Sequence, residues 1–83
     1  MRNGKKVDEH GNIYYFMDDM LHREDGPAVE HVSGTKIWWI RGKIHNIHGP
    51  AIIYPDGQTR FYINDELVSE RQFIEQKLTN FLK

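Results

Sequence analysis

The chain has 83 residues, of which 39% are hydrophobic and 28% are charged, so it is expected to fold as one small domain rather than remain disordered. The 11 basic and 12 acidic residues leave a formal net charge of -1, so no overall positive field attracts the chain to nucleic acid or anionic membranes, and any such binding must be local. Cysteine is absent, and no stretch approaches a signal peptide or the roughly 20 apolar residues of a membrane span, so we expect a cytoplasmic protein without disulfides.

An internal repeat with a period of 23 residues organises most of the chain. Residues 21–43 align with residues 44–66 without a gap, and Gly26-Pro27-Ala28 falls on Gly49-Pro50-Ala51. Moving back by one more period places Tyr15 on Trp38, which indicates an earlier, incomplete unit. The predicted organisation is a single domain over 1–83, with a partial repeat at 1–20, full repeats at 21–43 and 44–66, and a helix at 69–82.

Each unit is predicted to contain a strand, a tight turn and a second strand. The pairs Ser33-Gly34 and Asp56-Gly57 suit turns that require a positive φ, and they lie between short runs of β-branched and aromatic residues. A second turn is expected after each long strand, at Arg41-Gly42 and at the matching positions of the other units. The predicted fold class is therefore mainly β (α+β), an antiparallel meander of β-hairpins in about 2.5–3 units of 23 residues, with one C-terminal amphipathic helix.

The C-terminal segment carries the signals of a helix start. Ser69 can cap a helix, Gln72 occupies the matching capping-box position, and Val68 with Phe73 can form a hydrophobic staple around it. A helix from about Glu70 to Leu82 follows, with its apolar residues on one stripe. We expect this stripe to cover a face or an end of the sheet, or to pair with the same helix of a second subunit.

Side chains alternate between the two faces of a strand, so the long strands present two columns of aromatic residues. The column of Tyr15, Trp38 and Phe61 is expected to form the core. The opposite face mixes aromatics with charge; it is either covered by the helix and loops or forms a contact surface, since Trp, Tyr and Arg are enriched in binding hot spots. The candidate binding residues are Phe16, Trp39, Arg41, Lys43, Arg60 and Tyr62.

The repeated polar residues allow a structural and a chemical interpretation. His22 and His45 share one repeat position, and we expect histidines at such turns to bond the backbone; the spacing of His45 and His48, with Asp25, would also suit a metal. Glu24 and Asp25 beside His22 could act as acids and bases, but no nucleophile or phosphate-loop motif accompanies them, so we expect no enzyme, metal or cofactor. Structural roles at turns are assigned to His22, Asp25, Gly26, Pro27, Gly34, His45, Gly49, Pro50 and Gly57.

The segment from Leu21 to Ala28, which reads LHREDGPA, is followed by Trp38-Trp39 and by Gly42 to His45. This pattern resembles the "LHREDGPA" repeats of MORN-like proteins, many of them encoded by bacteriophages and large viruses, and the resemblance covers roughly residues 11 to 67. The resemblance implies a β-hairpin repeat array that binds other molecules without enzymatic activity. In a phage setting it implies an accessory factor in the host cytoplasm that inhibits a host protein such as a toxin or a defence nuclease.

Two other functions fit the same pattern. Aromatics interleaved with Lys36, Arg41, Lys43 and Arg60 could stack bases and neutralise phosphates, which would suit a short RNA or a nucleotide. The same faces could instead assemble copies of the chain into a structural component. A homodimer is expected in any case, because one helix cannot cover both faces and both edges of the sheet.

Overall fold

In the computed structural model, which describes residues 2–81, the chain forms an antiparallel β meander followed by a single helix. This confirms the predicted fold class. The strands are β1 Gly4–Val7, β2 Ile13–Met17, β3 Met20–Leu21, β4 Val29–Glu30, β5 Lys36–Ile37, β6 Trp39–Ile40, β7 Lys43–Ile44, β8 Ile52–Ile53, β9 Thr59–Ile63 and β10 Glu66–Val68, and the helix is α1 Glu70–Phe81.

The hairpins join in series, so that consecutive units share one sheet. In the first unit, β2 pairs with β1 along one edge and with both β3 and β4 along the other. β4 then pairs with β5, β5 with β8, and β8 with β9, while β6 and β7 form their own two-stranded ladder. The chain leaves the sheet twice, at residues 22–28 and 45–51; we call these the first loop and the second loop.

The predicted glycine turns recur once per unit with the same backbone hydrogen bonds. Gly57 donates its N–H to the carbonyl of Tyr54 at 2.9 Å, and Gly11 and Gly34 donate to the residues three positions earlier in the same way. The three glycines have φ values of 90°, 102° and 91°, in a region that L side chains rarely adopt.

The second turn of each unit also has a positive φ, but most of its residues are not glycine. Asp18-Asp19, Arg41-Gly42 and Asn64-Asp65 all have a positive φ at both positions, as a two-residue type I′ hairpin turn requires. Five non-glycine residues therefore adopt a conformation that costs roughly 1–2 kcal/mol each. The surrounding structure must hold them there.

The first unit is more complete than the sequence repeat indicated. β1 pairs with β2 in the register that β4 keeps with β5, so Lys6 corresponds to Val29. Arg2 and Asp19 exchange backbone and side-chain hydrogen bonds in the manner of Ile44 and Asp65. The first unit lacks only the loop that follows these residues in the later units.

The sheet is thin and has little interior. The molecule measures 44 × 30 × 18 Å, and none of the described large side chains is completely buried. Tyr15, Trp38 and Phe61 are half-buried, so the face predicted to be the core is not closed. The buried apolar residues are Ala28, Val29, Ala51, Ile52 and Phe73.

The helix starts as predicted, and its buried residue Phe73 packs against the sheet. Ser69 and Gln72 exchange two hydrogen bonds of 3.0 Å, which is the capping box. Phe73 is 5% exposed, and its ring centre lies 4.7 Å from that of Phe61. Leu82, the predicted last residue of the helix, lies outside the described residues. Within residues 2–81, no helix has the length and apolarity needed to cross a membrane.

Replacing Gly57 with alanine is expected to destabilise the protein by about 1–2 kcal/mol, because alanine would be held at an unfavourable positive φ. A Cβ at this position meets no heavy atom within 4 Å, so backbone strain is the only cost. The free energy of unfolding from urea titration measures the effect.

The matched control is Gly49→Ala, since Gly49 has no positive φ and its Cβ would also meet nothing within 4 Å. This variant should be neutral or slightly more stable, because alanine restricts the unfolded chain. Equal stability of the two variants would contradict the turn assignment.

Candidate functional site

The structure places the three predicted aromatic binding residues at one register position. Phe16, Trp39 and Tyr62 pair with Leu21, Ile44 and Leu67 in successive hairpins, as their 23-residue spacing requires. All three side chains are half-buried. They form one aromatic column across the sheet, which we call the Trp39 column.

Two features determine which parts of this column are exposed. The Arg2 guanidinium lies 4.4 Å from the ring centre of Phe16 and covers that end. Nε1 of Trp39 is buried and has no hydrogen-bond partner among the described residues, which is an unusual cost for a native side chain. The exposed part of Trp39 is therefore the apolar part of its ring, and this favours contact with an apolar surface.

The predicted cations occupy two levels of the sheet. Arg41 and Lys43 are exposed together at the turn between β6 and β7. Arg60 lies one 23-residue period after Ile37 and so shares its register position. Ile37 precedes Arg41 by four residues, or about 13 Å of strand. Its guanidinium donates to the carbonyl of Thr59 at 2.8 Å. The structure thus brings Arg41 and Lys43 together and leaves Arg60 apart.

The two repeated histidines hold the second turns. Nδ1 of His22 accepts the backbone N–H of Arg41 at 2.9 Å, and Nδ1 of His45 accepts that of Asn64 at 3.0 Å. In the first unit, Oδ1 of Asn3 accepts the N–H of Asp18 at 2.9 Å. Each acceptor bonds a residue with positive φ, and both repeated histidines therefore contact the backbone at a turn.

The first loop is organised around Arg23, which the sequence analysis did not select. Its Nε lies 3.0 Å from Oδ1 of Asp25, and its NH1 donates to the carbonyl of Pro27 at 3.1 Å. The guanidinium carbon lies 4.0 Å from the ring centre of Tyr15. The sequence does place an aromatic residue, Tyr15, eight positions before Arg23. Only the strand register shows that the two side chains are in contact.

A groove separates the first loop from the second loop, and Trp38 lies in it. One cavity of about 250 Å³ and a second of about 450 Å³ open side by side there. We call this region the inter-loop groove. The residues that line it include Glu24, Trp38, Ile40, His45, Asn46 and His48.

A separate polar cluster stabilises the first glycine turn. The Asp8 carboxylate accepts from the backbone N–H groups of His10 and Asn12, from the Asn12 side chain and from the Tyr14 hydroxyl. These bonds, above all that from the Asn12 side chain, hold the pKa of Asp8 below its ordinary value. Burial and the nearby Asp8 charge raise the pKa of Tyr14. Oδ1 of the buried Asn12 accepts the N–H of Val32, so the cluster ties the first turn to the second unit.

The other proposed chemistry finds little support in the geometry. His45 and His48 have no third histidine or acidic side chain placed to complete a metal site among the described residues. Nδ1 of His45 is already engaged with the backbone of Asn64. No protein-family model, no curated protein and no solved structure matches this chain.

Replacing His45 with alanine should lower the free energy of unfolding by about 0.5–1.5 kcal/mol, because the N–H of Asn64 loses its acceptor. Thermal and urea unfolding would measure this change.

The control is His45→Asn, since the Asn side chain carries an acceptor at the same distance from the backbone and Asn3 performs this role in the first unit. The asparagine variant should keep most of the stability that alanine loses. If both variants lose the same amount, the hydrogen bond does not support the turn.

Proposed function

We propose that this protein is a non-enzymatic binding protein whose thin repeat sheet presents a contact surface to another protein. The observation that carries the proposal is the Trp39 column, in which three aromatic side chains remain half-exposed at one register position. Aromatic residues in this state lose solvent-exposed apolar surface when a partner binds, and they are typical of binding hot spots. Arg41, exposed at the adjoining turn, adds a charged group beside the column.

Binding of RNA or a nucleotide is the second candidate, and Arg41 with Lys43 is the observation that favours it. A pair of exposed cations beside aromatic rings could hold one or two phosphates. Arg60 lies at another level of the sheet, so it does not extend the Arg41–Lys43 pair into a longer track for phosphates. The net charge of -1 does not favour such a track either. We therefore rank a protein partner first.

The biological setting is also part of the proposal. The LHREDGPA segment and the hairpin repeat support a relationship to the MORN-like repeat proteins of phages and large viruses. We propose an accessory factor that acts in the host cytoplasm by binding and blocking a host protein, such as a toxin or a defence nuclease. Binding alone would suffice for this role, and no reaction is needed.

Affinity capture from bacterial lysate at low and high salt tests the proposal. Wild-type protein should retain one defined protein partner at high salt, and the double variant Trp39→Ala with Arg41→Ala should lose it while keeping its circular-dichroism spectrum. Contacts through apolar rings are insensitive to salt, whereas contacts with phosphates weaken steeply.

The control is Lys5→Ala with Lys6→Ala, which removes two exposed charges on β1 and no aromatic ring, and it should retain the partner. Recovery of RNA or nucleotide at low salt only would favour the second candidate. An unchanged protein partner with the Trp39 and Arg41 variant would remove the Trp39 column from the proposal.

We further propose that the protein forms a homodimer through its helix. Ile74 and Leu78 are 48% and 58% exposed, and they lie one helical turn apart on a face that Phe73 does not bury. A helix of 12 residues gains little stability by itself in water, so covering this face would stabilise it. A second copy of the helix offers the matching apolar surface.

Replacing Leu78 with glutamate should convert the dimer into a monomer, because a charge would be buried in the contact. Light scattering coupled to size exclusion measures the mass of each form. Gln76→Glu, which adds the same charge on the opposite side of the same helix, is the control and should remain dimeric. A wild-type protein that is monomeric at all concentrations would contradict the dimer.

A further inference from the structure

The three units place an aromatic ring at one register position, and two of these rings are covered by a group of the chain itself. The Arg23 guanidinium lies over Tyr15 at 4.0 Å, and the Phe73 ring lies against Phe61 at 4.7 Å. The third ring belongs to Trp38, which lies in the inter-loop groove. Of the two covered rings, only Tyr15 is followed by the same kind of loop as Trp38, so the first unit shows that a guanidinium is accepted above such a ring.

In the first unit, the Arg23 guanidinium has a full set of contacts. Besides the Tyr15 ring, it contacts the Asp25 carboxylate, the Pro27 carbonyl and the Glu30 carboxylate, which is 3.7 Å from NH1. A Cβ on Gly26 would lie 3.0 Å from the guanidinium carbon, so a side chain at this position would require the guanidinium to shift by a few tenths of an ångström.

The second unit keeps the loop but lacks the guanidinium. Asn46 stands at the position of Arg23 and donates from Nδ2 to the Pro50 carbonyl at 2.8 Å, which preserves the backbone contact of the first loop. Its side chain is shorter by three heavy atoms along its length and does not extend over a ring. A Cβ on Gly49 would meet nothing within 4 Å, whereas at Gly26 the same atom meets the guanidinium.

The open space above Trp38 belongs to a cavity of about 250 Å³, which exceeds the volume of a guanidinium group. Glu24 and Asp25 of the first loop line the two parts of the inter-loop groove. The Glu24 side chain is 82% exposed, and Oε1 lies 3.7 Å from Nε2 of His22. The positive charge of Arg23 at this border is offset by Asp25 and Glu30, so the groove carries an excess of carboxylate.

We propose that the inter-loop groove binds an arginine side chain of the protein partner, with its guanidinium stacked on Trp38 and paired with Glu24. This inference rests on the proposed function and specifies its chemistry. Arginine fits better than lysine because a planar guanidinium can stack on an aromatic ring and pair with a carboxylate edge at the same time. Tryptophan is the aromatic ring that attracts a cation most strongly.

The first test uses acetyl-arginine amide as the probe and full-length protein labelled with 5-fluorotryptophan. The chain has two tryptophans, so fluorine NMR gives two signals, and the variant Trp39→Phe assigns them. We expect the Trp38 signal to shift on titration with a dissociation constant of about 1 mM, as befits one side chain. Acetyl-citrulline amide, which has the same shape without the charge, and acetyl-lysine amide should bind at least about tenfold more weakly.

Two variants connect the binding to the proposed groove. Asn46→Arg restores the chain's own guanidinium at the second loop, and it should lower the affinity for the probe at least about tenfold without lowering the melting temperature. Glu24→Gln should weaken binding severalfold, whereas Glu9→Gln, which removes an equally exposed carboxylate at the first glycine turn, should have no effect. A shift of the Trp39 signal alone, equal binding of the citrulline or lysine probe, or unchanged binding by Asn46→Arg would overturn the proposal.

The probe titration does not depend on capturing a partner, so the two proposals can fail separately. A partner retained equally by wild type and Asn46→Arg would overturn the arginine site and leave the proposed protein binding in place. A partner lost from Asn46→Arg but kept by Glu9→Gln would support both.

Discussion

The structure depends on a hydrogen bond that is repeated once per unit, from the first residue of each type I′ turn to an acceptor side chain on the residue directly next to the end of a strand. Asn3, His22 and His45 supply the acceptors, and the residues they hold are Asp18, Arg41 and Asn64. The molecule is only 18 Å across its shortest dimension, so little apolar surface is buried. Polar contacts between hairpins therefore contribute more to setting the register of the strands. His22 and His45 are also the first residues of the two loops, so the same bond fixes the backbone at the point where the chain leaves the sheet.

Much of the fold could be predicted because its determinants are local. The glycine turns, the second turns and the Ser69–Gln72 capping box depend on residues a few positions apart, and the 23-residue period shows that they recur. β1 escaped detection because Gly4 to Val7 is exposed and carries no apolar alternation, and because the loop that precedes the matching strand in the later units is missing before it. Asn3 and His22 both accept the N–H of the first residue of a second turn. Only this shared role shows that the first unit is four residues shorter than the later units between the acceptor and the next strand.

The candidate site was harder to predict than the fold. The Trp39 column follows from strand alternation, and its residues share a register as expected. The inter-loop groove depends on how two loops stand relative to a strand between them, and no local pattern specifies that arrangement. Arg23 and Asn46 look like ordinary variation between repeats until the Tyr15 contact shows what the arginine does. The face expected to be a core is open at Trp38 for the same reason: covering it would require a side chain that the second unit does not have.

The missing loop of the first unit determines how many partners the array can engage in this way. A groove needs two neighbouring loops with an aromatic residue between them, and the described chain has loops only at residues 22–28 and 45–51. Tyr15 has a loop on one side alone, and Phe61 is bordered on its other side by the helix. With the proposed arginine site, the array would therefore be monovalent, and the proposed dimer would be bivalent. Each additional full unit would add one groove, so the valence of such an array would grow with its length while the chemistry of each groove could vary independently through the residue at the position of Asn46.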